Sequence, residues 1–135
     1  MNGRFQIAMH ILTLLSRATN ELLSSEYIAG SININPALVR KEISNLRKKG
    51  LIKSKEGKAG GYALGVPAHE IKLSTIYQAV KQQQILGHAK NEPNPYCPVG
   101  KQINKHLLHL YSEMEDVLSA KLGAMNLAEF SRQFD

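Results

Sequence analysis

The sequence predicts a mostly α-helical fold with one small β-hairpin, and three observations support this prediction. Apolar residues recur at helical spacing near the N-terminus, in the middle of the chain, and over a long stretch near the C-terminus. One of the middle stretches has helix-capping residues at both ends. It is followed by two short apolar runs around a glycine-rich turn, which is the pattern of a hairpin. A chain of 135 residues is long enough to bury one compact core of this kind.

The first predicted helix runs from Arg4 to about Arg17, and the second is short. The apolar residues of the first helix share one face at helical spacing: Phe5, Ala8, Leu12 and Leu15. After a connection over residues 18–23, Ser24 or Ser25 can accept a hydrogen bond from the free backbone N–H groups of a following helix. We expect this second helix to end near Gly30.

The third predicted helix is bracketed at both ends. Asn35 supplies an N-cap, Pro36 occupies the favoured first position, and Gly50 stands where a left-handed residue ends a helix. Its buried face consists of Val39, Ile43 and Leu46. Its exposed faces carry six small, polar or basic residues: Ala37, Arg40, Lys41, Ser44, Arg47 and Lys48.

A hairpin is predicted directly after this helix. Leu51–Ser54 has the composition of a strand, Glu56–Gly61 that of a turn, and Tyr62–Leu64 that of a return strand. A short helix, a tight turn, a capped helix with a basic outer face and an adjoining hairpin together form a winged helix-turn-helix, whose last helix lies in the DNA major groove. The fold class is therefore mostly α with a small β wing. The alternative is that the glycine-rich segment is an ordinary hairpin turn with no contact to a partner.

The positive charge of the chain is concentrated in this region. Eight basic and two acidic residues lie between Pro36 and Lys58, and the nine basic and nine acidic residues elsewhere cancel, so this segment holds the entire net charge of +6. Such a concentration is typical of a surface that contacts the phosphate backbone, although it also fits a solvated face. The predicted DNA-contacting residues lie on the second and third helices and on the wing: Ser25, Asn35, Ala37, Arg40, Lys41, Ser44, Arg47, Lys48, Lys58, Gly60 and Gly61.

The C-terminal part has the strongest periodicity. A capped helix is predicted from Ser74 to about Gln83, a loop over 87–98, and a terminal helix over 126–134 that Asn126 caps. The long helix between them carries an apolar seam at alternating spacings of four and three residues: Ile103, Leu107, Leu110, Met114 and Val117. A second apolar stripe flanks the seam: Leu108, Tyr111, Leu118 and Leu122.

Two stripes are easier to bury in a dimer than in a small monomer, so we expect the long helix to be a dimerisation helix. The predicted organisation is a winged helix-turn-helix domain over residues 1–83, followed over residues 84–135 by the loop, the long dimerisation helix and the terminal helix.

Several classes of protein are disfavoured by the composition. A single cysteine, Cys97, cannot form an internal disulfide, nor can it alone hold a zinc ion or an iron–sulfur cluster. His106 and His109 lie three residues apart, but no nearby ligand in the sequence completes a metal site. No catalytic motif is present, so we expect neither an enzyme nor a bound cofactor. The apolar runs are too short to span a membrane and the N-terminus lacks a signal pattern, which predicts a cytoplasmic protein without membrane contact.

Cys97 precedes Pro98, which is well placed to begin the long helix. A thiol at a helix N-terminus is near the positive end of the helix dipole, which lowers its pKa and favours the reactive thiolate. This position suggests redox sensing. The alternative is an inert, partly buried cysteine, since isolated cysteines commonly behave as small hydrophobic residues.

Three stretches together resemble the Rrf2 family of bacterial regulators, typified by IscR, NsrR and CymR. They are Ile34–Ile52 (INPALVRKEISNLRKKGLI), Gly57–Leu64 (GKAGGYAL) and Pro67–Val80 (PAHEIKLSTIYQAV). With the long helix included, the resemblance covers nearly the whole chain. It implies a homodimer that binds a palindromic operator on double-stranded DNA. The family's DNA-contacting positions correspond here to Arg40, Lys41, Ser44, Gly60 and Gly61.

The chain departs from the cluster-binding members of that family in one respect. Those members have several cysteines in the loop before the dimer helix, whereas this loop has Cys97 alone. The segment NPYCPVG instead resembles a cluster-free branch, some of whose members sense oxidants through a thiol. The leading hypothesis is therefore a dimeric, sequence-specific repressor. The alternative is a winged-helix module that binds other proteins and has an incidental basic segment.

Overall fold

A computed structural model describes residues 3–82, 86–87 and 89–135 of the chain. In this part of the chain, six α-helices surround one core and a two-stranded antiparallel sheet lies at its edge. The elements in chain order are α1 (Arg4–Arg17), α2 (Ser25–Ile32), α3 (Pro36–Lys48), β1 (Ile52–Lys55), β2 (Gly61–Leu64), α4 (Leu73–Val80), α5 (Pro98–Gly123) and α6 (Leu127–Ser131). Short 3₁₀ turns cover Ala68–Glu70 and Arg132–Phe134.

The capping residues determine where α2 begins and ends. Ser24 is the N-cap, because its Oγ accepts a hydrogen bond from the Tyr27 N–H at 3.1 Å. The helix continues to Ile32, two residues past the predicted end at Gly30. It stops there because Asn33 adopts a left-handed conformation with φ 65°, and its N–H bonds to the Ala29 carbonyl.

The caps of α3 are those that the sequence predicts. The Asn35 side chain accepts a hydrogen bond from the Ala37 N–H at 2.7 Å, and Pro36 occupies the first turn. Gly50, with φ +80°, follows the end of the helix. The predicted inward face is fully packed, with Val39, Ile43 and Leu46 exposed by 0, 2 and 0%. This face fixes α3 to the core and leaves its opposite face on the surface.

The hairpin is present: β1 lies one residue later than predicted, and β2 begins one residue earlier and ends at Leu64 as predicted. β1 and β2 pair antiparallel, with Ile52 opposite Leu64 and Lys55 opposite Gly61. Leu23 extends this sheet, because its backbone exchanges hydrogen bonds of 3.0 and 2.8 Å with Tyr62. The segment before α2, predicted as a plain connection, therefore also anchors the wing.

The start of α4 differs from the prediction. The helix begins at Leu73, one residue before the predicted start at Ser74, and its N-cap residue Lys72 makes no side-chain hydrogen bond, so the prediction of a capped start is wrong. The physical reason is that Leu73 and Ile76 are both buried, which draws the first turn into the core one residue earlier. α4 ends at Val80, whereas the predicted end at Gln83 lies outside the described residues.

The C-terminal helices close the core. Pro98 begins α5 as predicted, and Asn126 caps α6 by accepting a hydrogen bond from the Glu129 N–H at 2.8 Å. α6 is shorter than predicted, and its last turn becomes a 3₁₀ turn. It packs against α1, and Leu127 is completely buried in the core. The predicted boundary between residues 83 and 84 lies outside the described residues, so the division into two domains stays a prediction.

Within the described ranges, no helix combines the length and the hydropathy that a membrane crossing requires.

Candidate nucleic-acid interface

The outer face of α3 is a basic surface. Arg40, Lys41, Arg47 and Lys48 are all exposed, as is Ala37 in the first turn, and Ser44 is half-buried between them. These residues share the side of α3 opposite the packed face of Val39, Ile43 and Leu46, so burial of that face determines which side chains point outward. The structure therefore places six of the predicted contact residues together.

Two of the arginines already have partners. The Arg40 Nη1 lies 3.8 Å from the Glu26 Oε1 of α2, with both side chains largely exposed. The Arg47 Nη1 donates a hydrogen bond to the Ser54 Oγ of β1 at 3.0 Å. Arg47 thus joins the helix to the first strand of the wing. The exposed Arg40 pair is weak enough to exchange for a stronger acceptor.

Ser25 and Asn35 lie at the starts of α2 and α3 and differ from the rest of the predicted set. Ser25 is buried, with its Oγ 3.3 Å from the Glu26 Oε2, so it does not present the exposed hydroxyl that a side-chain contact would need. Asn35 is exposed, but its side-chain oxygen is occupied by the cap. A contact through Asn35 would have to use its amide N–H₂ group.

The fold of the hairpin itself requires glycine at two positions of the wing. A Cβ on Gly60 would collide with the Lys55 carbonyl oxygen, and a Cβ on Gly61 would lie 2.8 Å from the Leu23 carbonyl oxygen. Both positions therefore need glycine for the hairpin to close, whatever the wing contacts. Lys58 is exposed in the turn at the wing tip.

Glu42 lies in this region, and the sequence analysis did not predict that it is buried. It was counted among the acidic residues of the basic segment, yet it is buried on the inner side of α3. The Arg4 Nε of α1 donates to both of its carboxylate oxygens, at 3.0 and 3.2 Å. Its place next to Ile43 and one turn before Leu46 was the available signal. Because Glu42 is turned inward and paired with Arg4, its negative charge is balanced by Arg4 and not by the outer lysines and arginines.

Asn45, whose role the sequence analysis also did not predict, connects α3 to α4. The Asn45 Nδ2 donates a hydrogen bond to the Ala79 carbonyl oxygen of α4 at 3.1 Å. Together with the Arg4–Glu42 pair, it fixes the rotation of α3 about its own axis. A helix held on two sides in this way presents its outer face in one orientation.

The long helix α5 has no buried residue along its 26 residues. The predicted seam includes Leu110, Met114 and Val117, whose exposed fractions are 46, 43 and 64%, while Ile103 and Leu107 are half-buried. The flanking stripe is better covered: Tyr111, Leu118 and Leu122 are half-buried and Leu108 is exposed. Leu110, Met114 and Val117 therefore form an apolar surface that the described part of the chain leaves exposed.

Cys97 is the N-cap residue of α5 and is exposed. The backbone N–H groups of Gly100 and, to a smaller extent, Val99 lower the pKa of its thiol, since they stabilise the thiolate. This is the electrostatic environment of a reactive cysteine.

The two histidines of α5 have partners on their own helix. The His106 Nε2 lies 3.3 Å from the Gln102 Oε1, and the His109 Nε2 lies 2.8 Å from the Glu113 Oε1. Among the residues that the structure describes, no group of three or more His, Cys, Asp or Glu side chains is arranged to hold a metal ion.

Comparison with known proteins gives a consistent result. A family model described as Rrf2, iron-dependent transcriptional regulator, matches residues 1–133. YwnA of Bacillus subtilis (strain 168), provisionally named as an HTH-type transcriptional regulator, is 37% identical over 129 residues, which cover 96% of this chain and 95% of YwnA.

Two solved structures share the fold over nearly their whole length. A protein provisionally described as DNA-binding has a TM-score of 0.75 and 32% identity, covering 94% of this chain and 97% of its own. CymR, the global cysteine regulator of B. subtilis, has a TM-score of 0.74 and 20% identity, covering 100% of this chain and 98% of its own.

The iron in the family description can be tested against this chain's own residues. An iron–sulfur cluster takes three or four ligands, most of them cysteine thiolates. The chain has one cysteine, Cys97, and its two nearest helical histidines are paired along α5. These residues do not fit a cluster held by a single chain.

Proposed function

Since the chain belongs to the Rrf2 family of transcriptional regulators, we propose that it is a homodimeric repressor that binds a palindromic operator on double-stranded DNA. The observation that carries this proposal is the basic outer face of α3, next to a wing and fixed to the core by a fully packed inner face. A helix held in this way can enter a major groove as a rigid body. The family is one of regulators and not of enzymes, and we propose that it acts in the cytoplasm, where DNA is accessible.

The proposed contacts divide into two kinds. Arg40, Lys41 and Ser44, on the outer face of α3, read base edges in the major groove, where an arginine can bind guanine in a bidentate manner. Lys48 at the end of α3 and Lys58 on the wing contact phosphates and set the orientation of the protein. Arg47 contributes through its bond to Ser54, which holds the wing against the helix.

The proposed dimer forms through the seam of α5. Exposed Leu110, Met114 and Val117 would be covered by the same residues of a second copy, since a two-fold interface is self-complementary. An apolar row of this kind is costly to leave in water. Two-fold symmetry then places two copies of α3 on the two half-sites of a palindrome.

We further propose that Cys97 responds to oxidants. Its exposure and the backbone N–H groups around it favour the thiolate, which is the form that peroxide or hypochlorite oxidises. Oxidation converts the thiolate to a sulfenate while the oxidant is reduced to water or chloride. A changed side chain at the N-cap would alter the start of α5 and hence the dimer.

The experiment for this proposal has two stages. Genomic fragments bound by the purified protein are selected and sequenced, and affinity for the enriched site and for random DNA is then measured over a salt series. The proposal expects a palindromic consensus bound on the order of 10³-fold or more above random DNA, with affinity for both falling as salt rises. Fragments without a shared sequence, or no DNA binding at low salt, would instead support the protein-interaction module.

A further inference from the structure

The long helix is attached to the rest of the described structure near its C-terminal end. The segment 71–73 before α4 and the segment 125–127 after α5 are joined by two backbone hydrogen bonds, from the Leu73 N–H to the Met125 carbonyl at 3.0 Å and from the Leu127 N–H to the Ile71 carbonyl at 2.8 Å. This bridge fixes the position of one end of α5. The C-terminal part of α5 also packs on α4, and Leu122 packs against the core. A second polar attachment, farther from this end, further restricts the angle of the helix.

Glu115 provides that second attachment, about 12 Å along α5 from its C-terminal end at 1.5 Å per residue. Its two carboxylate oxygens accept hydrogen bonds from the Tyr77 hydroxyl at 2.9 and 3.2 Å, and the Lys81 Nζ lies 3.1 Å from its Oε2. The Glu115 side chain is only 15% exposed and that of Lys81 31%, so the pair is partly shielded from solvent. We call Tyr77, Lys81 and Glu115 the α4–α5 clasp.

The clasp continues into the DNA-reading part of the molecule. The Tyr77 ring packs edge-on against Phe5 of α1, with ring centroids 6.0 Å apart. α4 also receives the hydrogen bond from Asn45 of α3. Burial and the neighbouring Glu115 carboxylate raise the pKa of Tyr77 to about 12, so its hydroxyl stays protonated as a donor. The clasp therefore joins α5 to a helix that directly contacts both α1 and α3.

Along α5 the clasp lies near the C-terminal end of the seam, with Val117 between Glu115 and the bridge. Most of the seam, including Leu110, precedes Glu115, and α5 extends about 26 Å from Glu115 to Pro98 at 1.5 Å per residue. A rotation of about 10° at the clasp would move the far end of a helix of that length by about 4.5 Å. Such a displacement exceeds the rise of one base pair, which is about 3.4 Å.

We propose that Glu115 is a positioning residue for operator recognition: by binding Tyr77 and Lys81, it holds α5 at one angle to α4 and so fixes the separation of the two α3 helices in the dimer. The inference rests on the proposed function, because it supposes a dimer formed through the seam. Glu115 does not contact DNA in this proposal. It acts on the spacing of half-sites that the dimer accepts and leaves the bases read within each half-site unchanged.

The test compares Glu115→Ala and Tyr77→Phe with Glu113→Ala, which removes a carboxylate two residues away on the same helix. The Glu113 side chain is 63% exposed and pairs with His109 of its own helix, so it lies outside the clasp. Affinity is measured for the selected operator and for versions with one or two base pairs inserted or removed between the half-sites. In parallel, spin labels at Lys49→Cys, in a Cys97→Ser background, report the distance distribution between the two α3 helices.

The proposal expects both clasp variants to broaden the label-distance distribution and to lower the preference for the natural spacing by about fivefold or more. Half-site affinity and sedimentation as a dimer should stay as in the unsubstituted protein, and Glu113→Ala should match it throughout. A general loss of stability would weaken all spacings equally and would count against the proposal. If Glu115→Ala does not fold, Tyr77→Phe, which keeps the ring, decides the result.

Failure of this inference and failure of the proposed function give different results. If the unsubstituted protein sediments as a monomer or selects no operator, the proposed function is wrong. If it is a dimer with a sharp spacing preference that both clasp variants retain, or that Glu113→Ala changes equally, the role of Glu115 is overturned while the function stands.

Discussion

The helices α3 and α5 share a sequence pattern but differ in what covers their apolar faces. In α3 the inner-face residues Val39, Ile43 and Leu46 are completely packed within the chain, and the helix contacts α1, α2 and β1. In α5, which is twice as long, apolar residues recur at the same kind of spacing, and none is buried within the described structure. Helical periodicity therefore shows that a face is apolar, but it does not show whether the same chain covers it.

The difference follows from length and charge. α3 has 13 residues, fits across the core, and carries its charge on the outward side. α5 has 26 residues and is about 39 Å long at 1.5 Å per residue, which is longer than the core it adjoins. Its C-terminal part packs on α4, and the rest extends beyond it. A surface of this kind is suited to a second copy of the chain, which makes the comparison open to experiment.

The largest effect is expected from a charge in the seam of α5. Leu110→Asp would place an unpaired carboxylate in the apolar dimer contact, and we expect the dimer dissociation constant to rise by about 1000-fold, or roughly 4 kcal/mol. Sedimentation velocity over a concentration series measures this change, and operator affinity should fall with it. Ser112→Asp is the matched control, since it adds the same charge to an exposed site outside both stripes.

Circular dichroism distinguishes dissociation from unfolding in that experiment. If the seam is a subunit interface, the Leu110→Asp monomer keeps its helical content. A folded dimer for Leu110→Asp would refute the seam assignment.

The next effect concerns α3 and should be of a different kind. Ile43→Ala would remove buried methyl and methylene groups from the packed inner face and should lower the free energy of unfolding by about 3 kcal/mol. Urea unfolding measures the loss. At protein concentrations where the dimer is saturated, dimerisation should be unaffected, in contrast to Leu110→Asp. An unchanged urea midpoint would mean that this face is not packed as described.

The sequence was sufficient for the elements whose local signals agree with their packing. The third helix was predicted within one residue because Asn35, Pro36 and Gly50 act locally and the apolar period points the same way. The hairpin followed from its glycines, which the structure explains by close contacts with the Lys55 and Leu23 carbonyls. In both the third helix and the hairpin, local chemistry and tertiary packing favour the same structure.

The features that the sequence did not predict depend on contacts between residues far apart in the chain. Nothing in the local sequence indicates that Glu42 pairs with Arg4, 38 residues away, or that Leu23 pairs with Tyr62. The sequence leaves the cap of α2 open between Ser24 and Ser25, whereas in the structure Ser24 is the cap and Ser25, a predicted DNA contact, is buried. Of the candidate site, the grouping of basic residues on α3 was therefore predictable, whereas the ion pair and hydrogen bond that orient the helix were not.

A third experiment tests which residues of the basic surface of α3 and the wing read bases and which contact phosphates. Arg40→Ala and Lys41→Ala should cost about 1 to 3 kcal/mol on the operator and relax the preference for particular bases. Lys48→Ala and Lys53→Ala should weaken all sequences alike and reduce the slope of log affinity against log salt by about one each. Fluorescence anisotropy with operator and random duplexes measures both quantities. Equal losses on the two duplexes for all four variants would remove the distinction.

The smallest effect is expected at Cys97, where α5 begins. Because the backbone N–H groups of Gly100 and Val99 lower the pKa of its thiol, the thiolate should be present at a lower pH than in an ordinary cysteine. The rate of alkylation by iodoacetamide, measured against pH, should therefore rise with a midpoint below that of the same chain unfolded in urea, where the helix is lost. Equal midpoints in the folded and unfolded chains would show that the helix start does not activate the thiol.

The functional consequence of that activation is tested with Cys97→Ser, which keeps the size of the side chain and removes the oxidisable sulfur. Mild peroxide or hypochlorite should change the operator affinity of the unsubstituted protein by about fivefold. The serine variant should bind the operator normally and should not respond to the oxidant. No second cysteine exists in the chain, so an internal disulfide cannot mediate the response, and mass spectrometry should find a sulfenic acid, a mixed disulfide or a disulfide between two subunits at Cys97. If both proteins respond identically, the signal reaches the DNA by another route, and the start of α5 is a structural cap alone.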